Sequence, residues 1–120
     1  MCILWRRLKT AREKKKDIMG RHNFKKMMIW KNAMDLSNSV FKITKEFPKQ
    51  EDYGLTSQIN RSAVSVPSNI AEGSSRYSNK DFNRFLEISL GSLYELHTQL
   101  VLAKYQGYIK NDSLKELEEK

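Results

Sequence analysis

The apolar residues of this chain recur at alternating steps of three and four positions over three long stretches. In the middle stretch, the residues on this spacing are Thr56, Ile59, Ala63, Val66, Ile70 and Gly73. Such spacing places side chains on one face of an α-helix. It continues through Pro67, which removes a backbone hydrogen bond and costs roughly 3 kcal/mol in an isolated helix. The pattern predicts a helix from about residue 52 to 74 that packs on other helices and is kinked at Pro67.

The stretches on either side predict two more helices. The first covers about residues 28–46 and ends before Pro48, since a residue that precedes proline avoids the helical conformation. The other follows Ser78, with Asp81 three residues later as in a capping box, and ends near Gly107. Its stripe keeps a heptad spacing and consists of Phe82, Leu86, Ser89, Leu93, Leu96, Leu100 and Ala103.

A fourth predicted helix begins near Asn111 and reaches Lys120 after about two turns, with Leu114 and Leu117 facing inward. So short a helix is marginal alone and cannot cover partners of about 20 residues. Either the chain is truncated relative to its relatives, or another segment or a second subunit covers the gap. The fold predicted is therefore all-α, an antiparallel up-and-down four-helix bundle whose fourth helix is truncated.

Composition supports this fold class and excludes several others. The 120 residues are 39% hydrophobic and 30% charged, and five Gly and two Pro leave few turn residues for an all-β fold. The single cysteine, Cys2, allows neither a disulfide within the chain nor a zinc cluster. No apolar run approaches the roughly 20 residues of a membrane span. The expected compartment is the cytoplasm.

The net charge of +8 is concentrated at the start of the chain. Residues 1–28 hold ten Lys or Arg and two acids, whereas the remainder holds twelve of each. We therefore expect residues 1–27 to form a mobile basic extension and residues 28–120 to form the bundle. The extension, with Lys14, Lys15 and Lys16, is interpreted as a solvated tail, an arm that contacts phosphates, or an amphipathic helix at a membrane surface.

The chain lacks the motifs of the common enzymes. A di-iron bundle needs Glu-x-x-His on two helices, and that spacing occurs nowhere in the sequence. Phosphate-binding loops and nucleophile motifs are absent as well. We expect no catalysis, no metal and no cofactor.

Two groups of residues are candidates for binding or assembly. Four bases, Arg61, Arg76, Lys80 and Arg84, surround the turn between the second and third predicted helices, where they form either a phosphate-binding rim or a solvated surface. A second group has structural or interface roles and consists of Pro67, Asn69, Glu72 and Gly73. Asn69 is expected to satisfy backbone groups freed by Pro67. Glu72 is expected to pair with Arg76 or with another helix, or to contact a second subunit.

Several segments resemble the bacterial proteins encoded in intervening sequences of 23S ribosomal RNA genes. They are residues 30–36 (WKNAMDL), 47–48 (FP), 53–59 (YGLTSQI), 61–73 (RSAVSVPSNIAEG), 85–86 (FL), 90–92 (LGS) and 95–96 (EL). The resemblance implies four antiparallel helices and a ring, expected to be a homopentamer. The accessory proteins of diversity-generating retroelements look similar, and their ring binds a reverse transcriptase and nucleic acid. For the intervening-sequence proteins, the resemblance implies no established activity.

Together these observations favour assembly and binding over catalysis. The first hypothesis is a homo-oligomer whose basic edges hold RNA or DNA electrostatically, without reading bases. The alternative is a protein-interaction scaffold that receives a partner helix. A third reading is a remnant reading frame that folds without a selected task.

Overall fold

A computed structural model describes residues 1–13 and 23–120. Within those ranges the chain forms helices and no strand, which confirms the all-α prediction. The helices are α1 (Cys2–Glu13), α2 (Met28–Thr44), α3 (Leu55–Ser74), α4 (Asn79–Tyr105) and α5 (Asn111–Glu119). Short 3-10 turns, Phe24–Lys26 and Lys49–Glu51, precede α2 and α3. No helix in the described ranges combines the length and apolar character that crossing a membrane requires.

Helix α4 follows the sequence prediction closely. All seven residues of the predicted heptad stripe are buried. The Ser78 hydroxyl accepts a hydrogen bond from the backbone N–H of Asp81 at 3.1 Å, so the predicted cap is present. Two residues after the helix ends, Gly107 adopts a φ of +80°, the left-handed conformation that favours glycine at helix C-termini.

Helix α3 also buries its predicted stripe, apart from Thr56, which is half-buried. Helix α2 buries Ile29, Ala33, Leu36, Ser37, Val40 and Thr44. Helix α3 starts at Leu55 rather than near residue 52, because the preceding residues form the 3-10 turn. The carboxylate of Glu51 accepts a hydrogen bond from the backbone N–H of Leu55 at 3.1 Å. This contact satisfies a donor that the helix N-terminus would otherwise leave unpaired.

Pro67 lies buried inside α3, and the helix continues through it. Because proline has no N–H, the carbonyl of Ala63 loses its usual helical donor. The buried hydroxyl of Ser37, on α2, donates to that carbonyl at 2.7 Å. Asn69 was expected to serve this purpose, but its amide instead donates to the carbonyl and hydroxyl of Ser65, at 2.8 and 2.9 Å. The expected role of Asn69 is therefore wrong.

Replacing Ser37 should show how far α2 compensates for the proline. We expect Ser37→Ala to lower the free energy of unfolding by about 1–2 kcal/mol, because a buried carbonyl loses its donor. In a Pro67→Ala background the backbone N–H of residue 67 becomes available to Ala63, so the same change should cost less. Urea denaturation of the four chains of this double-mutant cycle measures the difference. Equal costs in both backgrounds would show that Ser37 and Pro67 are not coupled.

Hydroxyl groups also join α3 to α4. The pairs are Ser62 with Glu95 at 2.8 Å, Ser65 with Ser92 at 2.7 Å, and Ser89 with the carbonyl of Val66 at 2.8 Å. Residue numbers fall along α4 as they rise along α3, so this pair of helices is antiparallel. The small serines satisfy polar groups while allowing the two helices to approach closely.

The start of the chain differs from the expected separate extension. Residues Met1, Leu4 and Leu8 are at most 4% exposed and belong to the hydrophobic core. Helix α1 contacts α2, α4 and α5. Another segment of the chain, α1, therefore packs beside the short fourth helix. Residues 14–22, which include Lys14, Lys15 and Lys16, lie outside the described residues.

Candidate nucleic-acid interface

Three parts of the chain lie towards one end of the molecule. Helix α1 runs antiparallel to α4, because Trp5 donates to the Tyr94 hydroxyl and Arg12 pairs with Glu87 further towards the start of α4. The end of α1 therefore points towards the α3–α4 turn and lies about 12 Å from the start of α4, measured along that helix. The 3-10 turn Phe24–Lys26 contacts α3. We call this region the basic end, after its bases Arg12, Lys25, Lys26, Arg76, Lys80 and Arg84.

Two of these bases form ion pairs with acidic side chains. Arg12 lies 3.8 Å from Glu87, and Arg76 lies 3.8 Å from Glu72. At that distance and exposure each pair contributes little to stability. The guanidinium of Arg76 also sits 4.9 Å from the ring centroid of Phe85, which orients it over α4.

The other bases of the basic end, Lys25, Lys26, Lys80 and Arg84, are exposed and form no ion pair with a described residue. The remaining acids of this region are Asp81 in the first turn of α4 and Glu13 at the end of α1. Counting all of them, the basic end holds six bases and four acids. Lys14, Lys15 and Lys16 follow directly in the sequence. A polyanion that approaches this end therefore meets unpaired cations.

The opposite end of the molecule has balanced charge. It comprises residues 45–52, between α2 and α3, and residues 104–112, between α4 and α5, which together hold four bases and four acids. Here Tyr108 donates to the carboxylate of Glu51 at 2.9 Å, and this bond raises the pKa of Tyr108. The sequence did not reveal this difference in charge between the two ends, because the bases of the basic end come from three separate segments.

Arg61, by contrast, does not join this group. It is exposed on α3, thirteen residues before the end of that helix, which corresponds to a distance of about 20 Å along the axis. The sequence analysis grouped it with Arg76, Lys80 and Arg84 by its position in the chain. Of the four, the structure brings only the last three together.

Two of the predicted structural residues lie in the last turn of α3, next to the basic end. Glu72 is exposed and pairs with Arg76, as one of the sequence hypotheses expected. Gly73 is buried against Phe85: a Cβ added at Gly73 would lie 2.6 Å from the Phe85 Cβ. Gly73 thus allows α3 and α4 to approach closely beside the α3–α4 turn.

A depression of about 410 Å³ lies where α1 and α5 meet α4. Its polar side chains include Cys2, His97 and Glu118, and the His97 Nε2 lies 2.8 Å from a Glu118 carboxylate oxygen. No hydrogen bond joins Cys2 to His97. Among the described residues no cluster of three His, Cys, Asp or Glu could hold a metal ion. The absence of catalysis stays a prediction.

The Met1 ammonium lies beside this depression and contacts the end of α5. It donates to the carbonyls of Leu117 and Glu118, at 2.6 and 3.1 Å. Burial is the largest influence on this group and lowers the pKa of the Met1 ammonium from 8.0 to about 6. In a continuous helix, backbone N–H groups of the next turn would donate to these carbonyls. Here the Met1 ammonium takes their place as the donor.

A second open depression of about 410 Å³ runs between α2 and α3. Its walls are largely apolar and include Trp30, Phe41 and the buried Pro67. Met34 and Val64 at its edges are each 45% exposed, which is high for side chains of this type. This groove is an apolar surface that α2 and α3 leave uncovered.

These features define a small all-α protein whose helices are joined by hydroxyl groups and whose charge is concentrated at one end. Residues 25–120 match the model of a family described as 23S rRNA-intervening sequence protein, and the chain belongs to that family. The match confirms the resemblance seen in the sequence. It does not include α1, which lies before the matched residues. No curated protein matches the chain.

Proposed function

We propose that this protein binds nucleic acid at its basic end, through phosphates and without catalysis. The observation that carries the proposal is the contrast between the two ends of the molecule. One end has exposed cations from two segments, the 3-10 turn before α2 and the α3–α4 turn with the start of α4, whereas the other end has equal numbers of bases and acids. Phosphate contacts by Lys and Arg release counterions, a contribution to affinity that does not depend on sequence.

The proposal includes the arrangement of the helices and their assembly. Helices α2, α3 and α4 would form three members of an antiparallel four-helix bundle, and α5 with α1 the fourth. A kink at Pro67 belongs to the same proposal. A homo-oligomer, expected from the family resemblance to be a pentamer, would place several basic ends on one nucleic-acid molecule. Repetition of a weak site raises the total affinity without any new contact.

The paired change Lys80→Glu and Arg84→Glu tests the interface. We expect it to weaken binding to single-stranded RNA and to duplex DNA about tenfold or more at 50 mM salt, since two phosphate contacts become repulsive. The matched control is Lys104→Glu with Lys110→Glu, which reverses two charges near the opposite end and should change affinity by less than about twofold. Filter-binding titrations at 50 and 200 mM salt measure both effects.

Two outcomes of these titrations would reject the proposal. One is no binding by the unchanged protein at 50 mM salt, and the other is binding whose affinity does not fall as salt rises. An equal loss in the control variant would show that net charge matters but that the basic end does not.

The alternative function, a protein-interaction scaffold, is favoured by the groove between α2 and α3. Its exposed edges, Met34 and Val64, fit a second copy of the chain or a partner helix. The same charge variants separate the two functions. A scaffold would retain its molar mass and its partner when Lys80 and Arg84 are reversed, and the unchanged protein would not bind nucleic acid.

A further inference from the structure

Helices α5 and α1 meet end to end with the hydrogen bonds of one continuous helix. The Met1 nitrogen donates to the carbonyl of Leu117 at 2.6 Å, and the backbone N–H of Leu4 donates to the carbonyl of Lys120 at 3.2 Å. If Met1 is counted as the residue after Lys120, each of these bonds joins a residue to the fourth residue before it. That is the hydrogen-bond pattern of an α-helix.

The apolar stripe crosses this junction in register as well. Counted in the same way, the inward residues are separated by steps of three and four, from Leu114 and Leu117 on α5 to Met1, Leu4, Leu8 and Ala11 on α1. The first five are at most 4% exposed, and Ala11 packs against the core. Both backbone and side chains therefore behave as parts of one amphipathic helix.

We propose that α5 and α1 pack end to end as one helix of the bundle. The groove formed by α2, α4 and α5 is then a binding site for an amphipathic helix, and the end of α5 fixes the register of its occupant. The occupant is residues 1–13 of the same chain. This inference rests on the helix arrangement proposed above and not on nucleic-acid binding.

The position of the end of α1 favours the chain's own segment as the occupant over a second copy. Arg12 pairs with Glu87 and Trp5 donates to Tyr94, so α1 contacts α4 at two points along its length. Thr10 and Ala11, near the end of α1, line the same surface depression as Met28 and Ile29 at the start of α2. The end of α1 thus lies beside the helix that follows it in sequence.

A metal bridge across the junction tests the register in the full chain. Ile3 and Glu119 are exposed, and across the junction they are four positions apart. Histidines four apart on a helix face bind divalent metal ions. We expect the double variant Ile3→His with Glu119→His to gain about 4–8 °C in Tm when Ni²⁺ is added, independent of protein concentration.

The matched control is Ile3→His with Glu116→His. Glu116 is also exposed on α5, but it lies seven positions from Ile3 across the junction, too far for two histidines to share one ion. We expect Ni²⁺ to change the Tm of this control variant no more than it changes the Tm of the unchanged protein. Equal shifts in the two variants, or no shift in either, would overturn the proposal. A shift that rises with protein concentration would place the bridge between copies and also overturn it.

A rearranged chain provides a second measurement. It begins at Asn23, joins Lys120 directly to Met1 and ends at His22. We expect it to fold with a Tm at least equal to that of the original chain. One alanine inserted between Lys120 and Met1 would turn the α1 stripe by about 100° away from the core and should lower Tm. Equal Tm values for the rearranged chains with and without the alanine would contradict a shared register.

Discussion

The substitution Leu8→Ala is expected to lower the free energy of unfolding by about 2–5 kcal/mol. The Leu8 side chain is 1% exposed and belongs to the same hydrophobic core as the stripes of α2, α3 and α4. Shortening it removes buried apolar surface and leaves a cavity that the surrounding helices fill only in part. Urea or thermal denaturation measures the loss.

The control for Leu8→Ala lies on the same helix. Ile3 is 46% exposed, so Ile3→Ala should change stability by less than about 1 kcal/mol. The comparison separates burial from helix formation, because both substitutions raise helix propensity slightly. If Leu8→Ala were as neutral as Ile3→Ala, residues 1–13 would be the separate extension that charge alone predicted, and α1 would not belong to the core.

The sequence predicted best those helices that contain their own signals. Helix α4 has its N-cap, Ser78, its terminal glycine, Gly107, and a stripe of seven apolar or small residues within one segment. A periodic stripe of that length determines both the helix and its buried face. The start of α3 differs from its predicted position by about three residues, and the 3-10 turn Lys49–Glu51 precedes it there.

Helix α1 illustrates what the local pattern could not show. Its stripe is short, it carries several bases, and a 12-residue helix is marginal alone. Its burial depends on α4 and α5, which lie about 80 to 120 residues away along the chain. The donor to the Ala63 carbonyl was missed for the same reason. Ser37 is 26 residues distant, whereas the expected donor, Asn69, was chosen for its proximity in sequence.

The candidate interface was found in part. The turn between α3 and α4 was recognised from Arg76, Lys80 and Arg84, which are close in sequence. Arg12 joins them because α1 runs antiparallel to α4, whereas Lys25 and Lys26 join them because the 3-10 turn Phe24–Lys26 contacts α3. A reading based on sequence distance also included Arg61, which the length of α3 places far from the others.

The substitution Gly73→Ala is the second change with a large expected effect. A Cβ at this position would lie 2.6 Å from the Cβ of Phe85 and 3.1 Å from a ring carbon of Phe82. Because a Cβ is fixed to the backbone, no rotamer change of Phe85 relieves the first contact, and α3 and α4 must move apart. Overpacking of this kind costs about 1–3 kcal/mol.

Gly91→Ala is the matched control for Gly73→Ala. Gly91 lies within α4 and is exposed, and an added Cβ there would meet nothing within 4 Å. Replacing it should therefore raise stability by about 0.5–1 kcal/mol, through the helix propensity of alanine alone. Denaturation curves of the two variants should move in opposite directions, since propensity favours both changes and only Gly73 is confined. Stabilisation of both would show that α3 and α4 do not approach as closely at Gly73 as the structure indicates. Phe85→Ala should not rescue Gly73→Ala, because alanine keeps the Cβ that causes the clash.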